Sequence, residues 1–371
     1  NIKMKNIPYS ISNDFLKDAQ WLEPLLIEVD KKPIIENLNH KFCSFGSCFA
    51  QNLQSFMLPF GFHFYFERQI CAYYQVKAME NLFLRLLEEE DYSDERIYEF
   101  SKNDHMAYEY FRLRHYGKNS KELVLHEMRR LDQECREEIG SADTFVTTLG
   151  TTIYYRKKNG RIVNAFFGME MDESKGFDQL SVDEILESLE SILASLKKLR
   201  KGKPFNWILT ISPQRYAWPK KWTGVDNVTQ SFICKAKNMI AIQEFLKSHT
   251  SESIIYFPSF EIVIDELRLF ETLSTYDHLH INRELTPKYV VKRFLKSYCT
   301  SDLVNLLPLV EDIEKLFTFT TSRMKAGADF NSDLIQPAWD LLLHELSKHK
   351  NTEPLLQQID LKRKSFENST N

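Results

Sequence analysis

The run KFCSFGSCFA, residues 41–50, joins a strand-like segment to a helix-like one through a glycine and a serine. Its first five residues are mostly apolar and lead directly into Gly46, as expected of a short strand that ends in a turn. From Cys48 to Leu58 apolar residues recur at helical spacing, until a proline and a glycine end the pattern. The run therefore predicts a strand, a turn that carries Ser47, and a helix.

Strand-like and helix-like segments continue to alternate along most of the chain. Further strands are predicted over Phe62–Phe66, Asp143–Leu149, Asn206–Ile211 and Ile254–Phe257, and further helices over Gln75–Glu90, Glu122–Ile139, Val182–Leu199 and Ser231–Lys247. Ile153–Tyr155 and Ile162–Phe167 flank the turn Lys158-Asn159-Gly160 and predict a hairpin. This alternation favours an α/β fold with a mostly parallel sheet flanked by helices.

The chain divides into three predicted parts. Residues 1–40 are a lead-in segment, residues 41–298 form the α/β domain, and residues 299–371 form a helical C-terminal extension. The stretch 91–120 is charged and aromatic without clear periodicity, which indicates an insertion in the domain. Helical patterns after the last predicted strand cover Tyr289–Lys296, Asp302–Phe317 and Leu334–His349. The polar tail beyond Leu361 is expected to be frayed.

The overall composition excludes several classes of function. With 371 residues, of which 43% are hydrophobic and 27% charged, the chain is typical of globular proteins. A formal net charge of -4 gives no reason to expect a nucleic acid partner or binding to acidic membranes. No apolar run approaches the roughly 20 residues that span a bilayer, so we expect no transmembrane segment. Residues 1–10 lack the apolar core of a signal peptide, although the absence of an initial methionine leaves room for a removed leader.

The cysteines are scattered along the chain without a C-x-x-C pair. They are Cys43, Cys48, Cys71, Cys135, Cys234 and Cys299. This spacing argues against a zinc site, and in a chain of this length it does not resemble a disulfide framework. We therefore expect reduced thiols in a cytoplasmic protein, and no metal site.

Ser47 stands between the first predicted strand and the first predicted helix, where open α/β sheets place their sites. The unpaired N–H groups of a helix N-terminus can stabilise an oxyanion while a serine hydroxyl attacks a carbonyl. Ser47 is therefore a candidate nucleophile. A serine here is also a common helix N-cap, and the local pattern alone favours that second interpretation.

The run Asp277-His278-Leu279-His280 precedes a predicted helix near the end of the domain. A serine hydroxyl needs a base near neutral pH, and histidine is the usual one. An aspartate three residues before a histidine can orient its imidazole within one loop. Both histidines are candidates for the base. The two could also bind a metal together, but the spacing of the sequence suggests no third ligand.

A third candidate is Gly150, at the end of the predicted strand DTFVTTL and followed by Thr151 and Thr152. A glycine at this point allows close approach between the backbone and a substrate. An ordinary turn from strand to loop explains the glycine equally well.

Taken together, these residues resemble the GSCFA family, which is placed in the wider SGNH (GDSL-like) hydrolase superfamily. The motif Gly46-Ser47-Cys48-Phe49-Ala50 carries the family's name, and further matching blocks follow in the family's order. They are Ile70-Cys71-Ala72, Thr148-Leu149-Gly150-Thr151, Ser212-Pro213-Gln214-Arg215, Cys234-Lys235-Ala236, the run from Tyr256 to Arg268, and Asp277-x-x-His280. The resemblance covers Phe42 to Phe294 and implies an SGNH-hydrolase-like parallel sheet.

The resemblance implies roles for individual residues. Ser47 matches the superfamily's nucleophile, and Asp277 with His280 matches its Asp-x-x-His pair, which favours the second histidine as the base. The amides of Ser47 and Gly150 are the implied oxyanion donors. Many superfamily members place an asparagine donor where this chain has threonine, so the hydroxyl of Thr152 is a candidate substitute.

Arg215 belongs to a block in which family members commonly follow the arginine with histidine, whereas this chain has Tyr216. Arg215 is expected either to bind an anionic part of the substrate or to form a structural salt bridge.

The resemblance also implies ester chemistry on carbohydrates, including the O-acetyl groups of surface glycans. Acetyl-coenzyme A is available as a donor to a cytoplasmic protein. We therefore expect an O-acetyltransferase that modifies a surface or capsular polysaccharide and has no tightly bound cofactor. A carbohydrate O-acetyl esterase with the same dyad is the second hypothesis. A non-catalytic glycan-binding protein on a degenerate hydrolase fold is the third.

Overall fold

A five-stranded sheet flanked by helices forms the centre of the fold, and a helical region follows it. The computed structural model describes residues 27–88, 97–100, 105–108, 121–156, 162–163, 177–216, 220–268, 272–273, 280–281, 286–325, 335–349 and 352–367. The strands, in chain order, are β1 (Lys41–Gly46), β2 (His63–Tyr65), β3 (Ile97–Phe100), β4 (His105–Tyr108), β5 (Thr144–Leu149), β6 (Ile153–Arg156), β7 (Ile162–Val163), β8 (Phe177–Gln179), β9 (Asn206–Ile211) and β10 (Ile254–Phe257).

The helices, also in chain order, are α1 (Cys48–Met57), α2 (Arg68–Cys71), α3 (Val76–Glu88), α4 (Lys121–Ser141), α5 (Val182–Leu199), α6 (Lys220–Thr223), α7 (Asn227–Ser248), α8 (Ser259–Glu261), α9 (Thr286–Tyr298), α10 (Ser301–Lys325), α11 (Gln336–Ser347) and α12 (Glu353–Glu367). Leu58–Phe60 is a 3₁₀ turn and Ile262–Glu266 is a π-helical turn.

The central sheet is parallel throughout, in the order β2-β1-β5-β9-β10. Numbered within the sheet alone, this is the 2-1-3-4-5 order of flavodoxin-like, doubly wound folds. The order reverses between β1 and β5, because β2 lies on one side of β1 and every later strand lies on the other. The predicted α/β class is confirmed, and the crevice at such a reversal is where these folds bind ligands.

The residue types of the central strands explain why they are buried. All six residues of β5 (TFVTTL) are buried, as are the last five of β9 (NWILTI). β-Branched and aromatic side chains pack well in a sheet that is covered on both faces. Helices α3, α5 and α7 pack side by side, while α1 packs against α9 and against β1 and β5. The polar ends of the strands are therefore the parts of the sheet that can carry a site.

The segment before β1 is tied to the end of α9. Ile35 is fully buried and forms a parallel bridge with Cys299. Its amide donates to the carbonyl of Tyr298 at 2.9 Å, and its carbonyl accepts from the amide of Thr300 at 3.0 Å. These bonds join the residues that precede the α/β domain to those that follow it.

Two smaller strand groups lie outside the central sheet. β3 and β4 pair antiparallel within the stretch predicted as an insertion. β6 pairs antiparallel with β7, in agreement with the predicted hairpin, and also with β8, which the sequence did not predict. The predicted turn Lys158-Asn159-Gly160 lies outside the described residues.

The prediction of a frayed tail beyond Leu361 is wrong for residues 362–367, which belong to α12. The apolar side of this helix is buried, and the ring of Phe366 lies 5.1 Å from that of Phe317 and 6.4 Å from that of Trp339. Burial of this side holds the helix in place, although its other side is polar. In the described ranges, no helix combines the length and apolar character needed to cross a membrane.

Candidate functional site

Ser47 lies at the reversal of strand order, directly after β1 and at the N-terminus of α1. It is the N-cap of that helix, and its Oγ accepts a hydrogen bond from the amide of Phe49 at 3.3 Å. Among the described residues, Phe49 is the sole hydrogen-bond partner of this hydroxyl. The cap uses only a lone pair of the oxygen, so the hydroxyl proton remains available to a base. Ser47 is 0% exposed, which keeps its hydroxyl out of water.

Gly46 makes the turn into Ser47 possible. Its φ is +136°, in the region that favours glycine, and a Cβ placed on it would lie 2.3 Å from the carbonyl oxygen of Thr148. No side chain fits into that space. The carbonyl of Gly46 accepts from the amide of Tyr73 at 2.8 Å, so the segment after α2 is held at the end of β1.

Gly150, at the end of β5, is enclosed by two tyrosines. A Cβ placed on it would lie 2.4 Å from Oη of Tyr216 and 2.7 Å from the carbonyl oxygen of Tyr74. The same Tyr74 carbonyl accepts from the amide of Thr151 at 2.8 Å. The two tyrosine rings pack edge to face, with centroids 5.6 Å apart. A close approach at Gly150 is therefore present, and it is made by the protein's own residues.

The orientation of the Gly150 amide follows from the peptide that precedes it. The carbonyl of Leu149 points toward β9, because it accepts from the amide of Ser212 at 2.8 Å. In a trans peptide the N–H points opposite to the C=O, so the N–H of Gly150 points away from β9 and toward β1. Gly46 pairs with Thr148 on that side, and Ser47 is the next residue. This is the direction that an oxyanion donor beside Ser47 needs.

The hydroxyl of Thr152 is directed elsewhere. It donates to Sγ of Cys234 at 3.2 Å and accepts from Nε2 of Gln179 at 2.9 Å. The hydroxyl of Thr151 lies 3.6 Å from the same sulfur and accepts from the amide of Ile153 at 3.1 Å. The hydroxyl of Thr152 has one proton and donates it to the sulfur, so Thr152 has no donor left for an oxyanion in this arrangement.

Cys234 is the centre of this buried polar cluster. Burial opposes ionisation of its thiol, but hydrogen bonds with Thr152, Thr151 and Gln230 outweigh that effect and lower its pKa. The five cysteines whose side chains the structure describes are all buried free thiols.

Two polar side chains of α7 reach the carbonyl of Gly150. Nζ of Lys235 and Nδ2 of Asn238 each donate to the carbonyl of Gly150 at 3.1 Å. Sequence reasoning missed both as site residues. A signal was present, since they occupy positions i and i+3 on a helix side that is otherwise mostly apolar and buried.

Arg215 follows β9 at the same edge of the sheet and is partly buried. No described residue forms a hydrogen bond or an ion pair with its guanidinium, so the structural salt bridge expected as one alternative finds no partner in the described ranges.

His280 is exposed and lies beside Ile281, which is buried and forms a bridge with Leu273. It is not hydrogen-bonded to Ser47. The predicted Asp277 and the alternative His278 lie outside the described residues. Helix α9, which begins six residues after His280, packs against α1, which begins directly after Ser47.

Two open cavities formed by described residues lie away from the end of β1. The first, of about 880 Å³, is lined by residues that include Lys31, Lys296 and Asn305. The second, of about 650 Å³, lies beside His249 and Tyr256. None of the predicted site residues lines either cavity. In the described part of the chain, no three His, Cys, Asp or Glu side chains come together as a metal site would require.

Comparison with curated proteins finds no match. One solved crystal structure is 9% identical to this chain, with a TM-score of 0.34. The match covers 72% of this chain and 100% of the chain in that structure. The sequence model of the GSCFA family matches residues 41–294, which is more than half of the chain and runs from β1 into α9. The chain therefore belongs to the GSCFA family.

Proposed function

We propose that this protein transfers an acetyl group from acetyl-coenzyme A to hydroxyls of a surface or capsular polysaccharide, through an ester on Ser47. The observation that carries the proposal is the place of Ser47, at the reversal of strand order and directly after β1, the strand toward which the amide of Gly150 points. Membership of the SGNH superfamily and a cytoplasmic location are parts of this proposal. The 2-1-3-4-5 strand order is compatible with the first.

In the first half of the proposed reaction, Oγ of Ser47 attacks the acetyl carbonyl and His280 takes the hydroxyl proton. Asp277 orients the imidazole and stabilises its charged form. The thioester bond then breaks, and the departing sulfur of coenzyme A receives the proton from His280. The product is an acetyl ester on Ser47.

The amides of Ser47 and Gly150 are the proposed donors to the oxyanion that forms in this step. The hydroxyl of Thr152 donates its proton to the sulfur of Cys234. We therefore assign Thr152 to holding the segment between β5 and β6 in place rather than to stabilising the oxyanion. Arg215 follows β9 at the edge of the sheet that carries Ser47 and Gly150, and we assign it to binding an anionic part of the substrate.

In the second half, a sugar hydroxyl attacks the ester and gives its proton to His280. The bond to Ser47 breaks, and Oγ takes that proton back. Water in place of the sugar would make the protein an esterase. Ser47 is 0% exposed, so the site has to open to admit both the donor and the acceptor. Transfer in preference to hydrolysis then requires that the bound acceptor keep water from the ester.

The test is covalent labelling with p-nitrophenyl acetate or radiolabelled acetyl-coenzyme A, followed by mass spectrometry of the Ser47 peptide. We expect wild type to carry one acetyl group on Ser47 and Ser47→Ala to carry none. Ser55→Ala is the matched control, since Ser55 lies exposed on the same helix. If Ser47→Ala acquires as much label as wild type, Ser47 is not the nucleophile.

The same labelled enzyme separates the three hypotheses. Transfer only after polysaccharide is added supports the transferase, whereas release of acetate into buffer alone supports the esterase. A protein that binds polysaccharide but is never acetylated is a glycan-binding module. His280→Ala is expected to abolish acetylation while His278→Ala retains it, and the reverse result would move the base to His278.

A further inference from the structure

Lys235 and Asn238 form an unusual buried clamp on one carbonyl. Both side chains are 2% exposed, and both donate to the carbonyl oxygen of Gly150 at 3.1 Å. Three residues apart on α7, they project from one side of the helix. A backbone carbonyl has two lone pairs, so the two donors saturate it.

A buried ammonium group is costly to the fold. Burial lowers the pKa of Lys235 to about 7, although the attraction of Cys234 raises it by a smaller amount. Its Nζ lies 5.2 Å from the ring centroid of Tyr216. This cation–π contact offsets part of the free energy that the ammonium group loses when it leaves water. Apolar side chains of similar volume often replace buried charges without loss of stability. Packing alone therefore does not account for a lysine in this position.

What the clamp controls is the backbone of Gly150, the residue type with the greatest conformational freedom. The peptide before Gly150 is held by the bond between the Leu149 carbonyl and the Ser212 amide. The peptide after it is held at its N–H by the Tyr74 carbonyl and at its C=O by Lys235 and Asn238. With both peptides fixed, neither torsion of Gly150 can turn, and its N–H stays directed toward β1.

We propose that Lys235 and Asn238 are positioning residues for acyl transfer, which hold the Gly150 amide where it stabilises the oxyanion on the acyl group at Ser47. This inference rests on the proposed function. The two side chains act through Gly150, so their loss weakens binding of the transition state and leaves binding of the ground state unchanged.

The experiment measures acylation of Ser47 by the burst of p-nitrophenolate that the full chain releases from p-nitrophenyl acetate. Here kcat is the maximal rate constant of that step and KM is the ester concentration at half of it. The second measurement is inhibition by phenyl trifluoromethyl ketone, which forms a tetrahedral adduct with an active serine. Removing one oxyanion donor costs about 100- to 1000-fold in kcat, so a donor that is only displaced is expected to cost about tenfold. For Lys235→Met we expect that fall in kcat, an unchanged KM, and an inhibition constant raised by a similar factor.

Lys237→Met is the matched control. Lys237 lies on the same helix and also donates to a backbone carbonyl, that of Leu180 at 2.9 Å. We expect it to keep the kcat and the inhibition constant of wild type. If Lys235→Met does not fold, Asn238→Ala replaces it, with the same expected split between kcat and KM.

The outcomes distinguish this inference from the proposed function. A wild-type protein that is never acylated at Ser47 overturns the proposed function, and the inference with it. Wild type acylated at Ser47, together with a folded Lys235→Met or Asn238→Ala whose kcat and inhibition constant equal those of wild type, overturns the positioning role alone. So does an equal loss in Lys237→Met, since that result indicates a general effect of changing α7.

Discussion

At the scale of single residues, Ser47 reconciles two interpretations that the sequence set against each other. As the N-cap of α1, its oxygen accepts from the amide of Phe49, and the residue type is explained without any chemistry. Yet a cap leaves the hydroxyl proton unused, and a nucleophile needs only to lose that proton to a base. The structural and chemical roles use different parts of the same group, so evidence for one does not weaken the other.

Gly46 gives a prediction at the same scale. Gly46→Ala would place a Cβ 2.3 Å from the carbonyl oxygen of Thr148 and force alanine to a φ of +136°. We expect unfolding to become easier by at least about 2 kcal/mol, since a residue held in such a region costs about 1–3 kcal/mol before any clash is counted. Urea denaturation measures the change.

Gly140→Ala is the comparison for that measurement. Apart from its chain neighbours and the nearby backbone of α4 itself, no atom lies within 4 Å of the Cβ that this change would add. Alanine is the better helix former, and the expected effect is stabilisation of up to about 1 kcal/mol. Equal midpoints for wild type and Gly46→Ala would contradict the close packing of β1 against β5.

At the scale of elements, the sequence was sufficient to predict the bounds of a strand or helix wherever its local pattern and its burial agree. The predicted Asn206–Ile211, Ile254–Phe257 and Val182–Leu199 are observed with the same bounds, because each is bounded by its own turn or capping residues. Helix α7 begins at Asn227 rather than at the predicted Ser231, since Asp226 caps it before its apolar side begins.

What the sequence could not supply depends on partners that are distant along the chain. β8 is three residues long and exists because β6 offers it an edge. The clamp on Gly150 joins residues 85 and 88 positions apart in sequence, and no local pattern reports such contacts. The edge of the sheet that carries Ser47, Gly150 and Arg215 was predictable, because carboxyl ends of parallel strands lie together. The arrangement of hydrogen bonds at that edge was not.

Helix α12 carries the prediction at this scale. Phe366 packs against Phe317 and Trp339, so Phe366→Ala is expected to cost about 2–4 kcal/mol of stability. Leu361 on the same helix is 68% exposed, and Leu361→Ala is expected to change stability by less than about 0.5 kcal/mol. Urea midpoints give both values. Equal, small effects would restore the frayed tail that the sequence predicted.

At the scale of the whole molecule, the three predicted parts share one hydrophobic core. A single buried cluster runs from Ile35, before β1, to Phe366, in the last helix. Within it lie Leu303 and Leu306 of α10, and α10 packs against α9 and against the turn Leu58–Phe60. The helical extension is thus joined to the α/β domain by apolar packing rather than by a linker, and the two are expected to unfold together.

Two buried tryptophans test that expectation, one in each part. Trp207 lies in β9 and donates to Thr147 at 2.8 Å, and Trp339 lies in α11 and donates to Thr320 at 3.0 Å. Two variants each keep one of these tryptophans and have every other tryptophan changed to phenylalanine, so that each variant carries a single fluorescent reporter. One cooperative transition requires both reporters to give the same urea midpoint, equal to that from circular dichroism. A chain of 371 residues is large enough to unfold in steps, so coincidence is a demanding result. If Trp339 reports a lower midpoint than Trp207, the C-terminal helices are an independent unit and the shared core does not bind them into one fold.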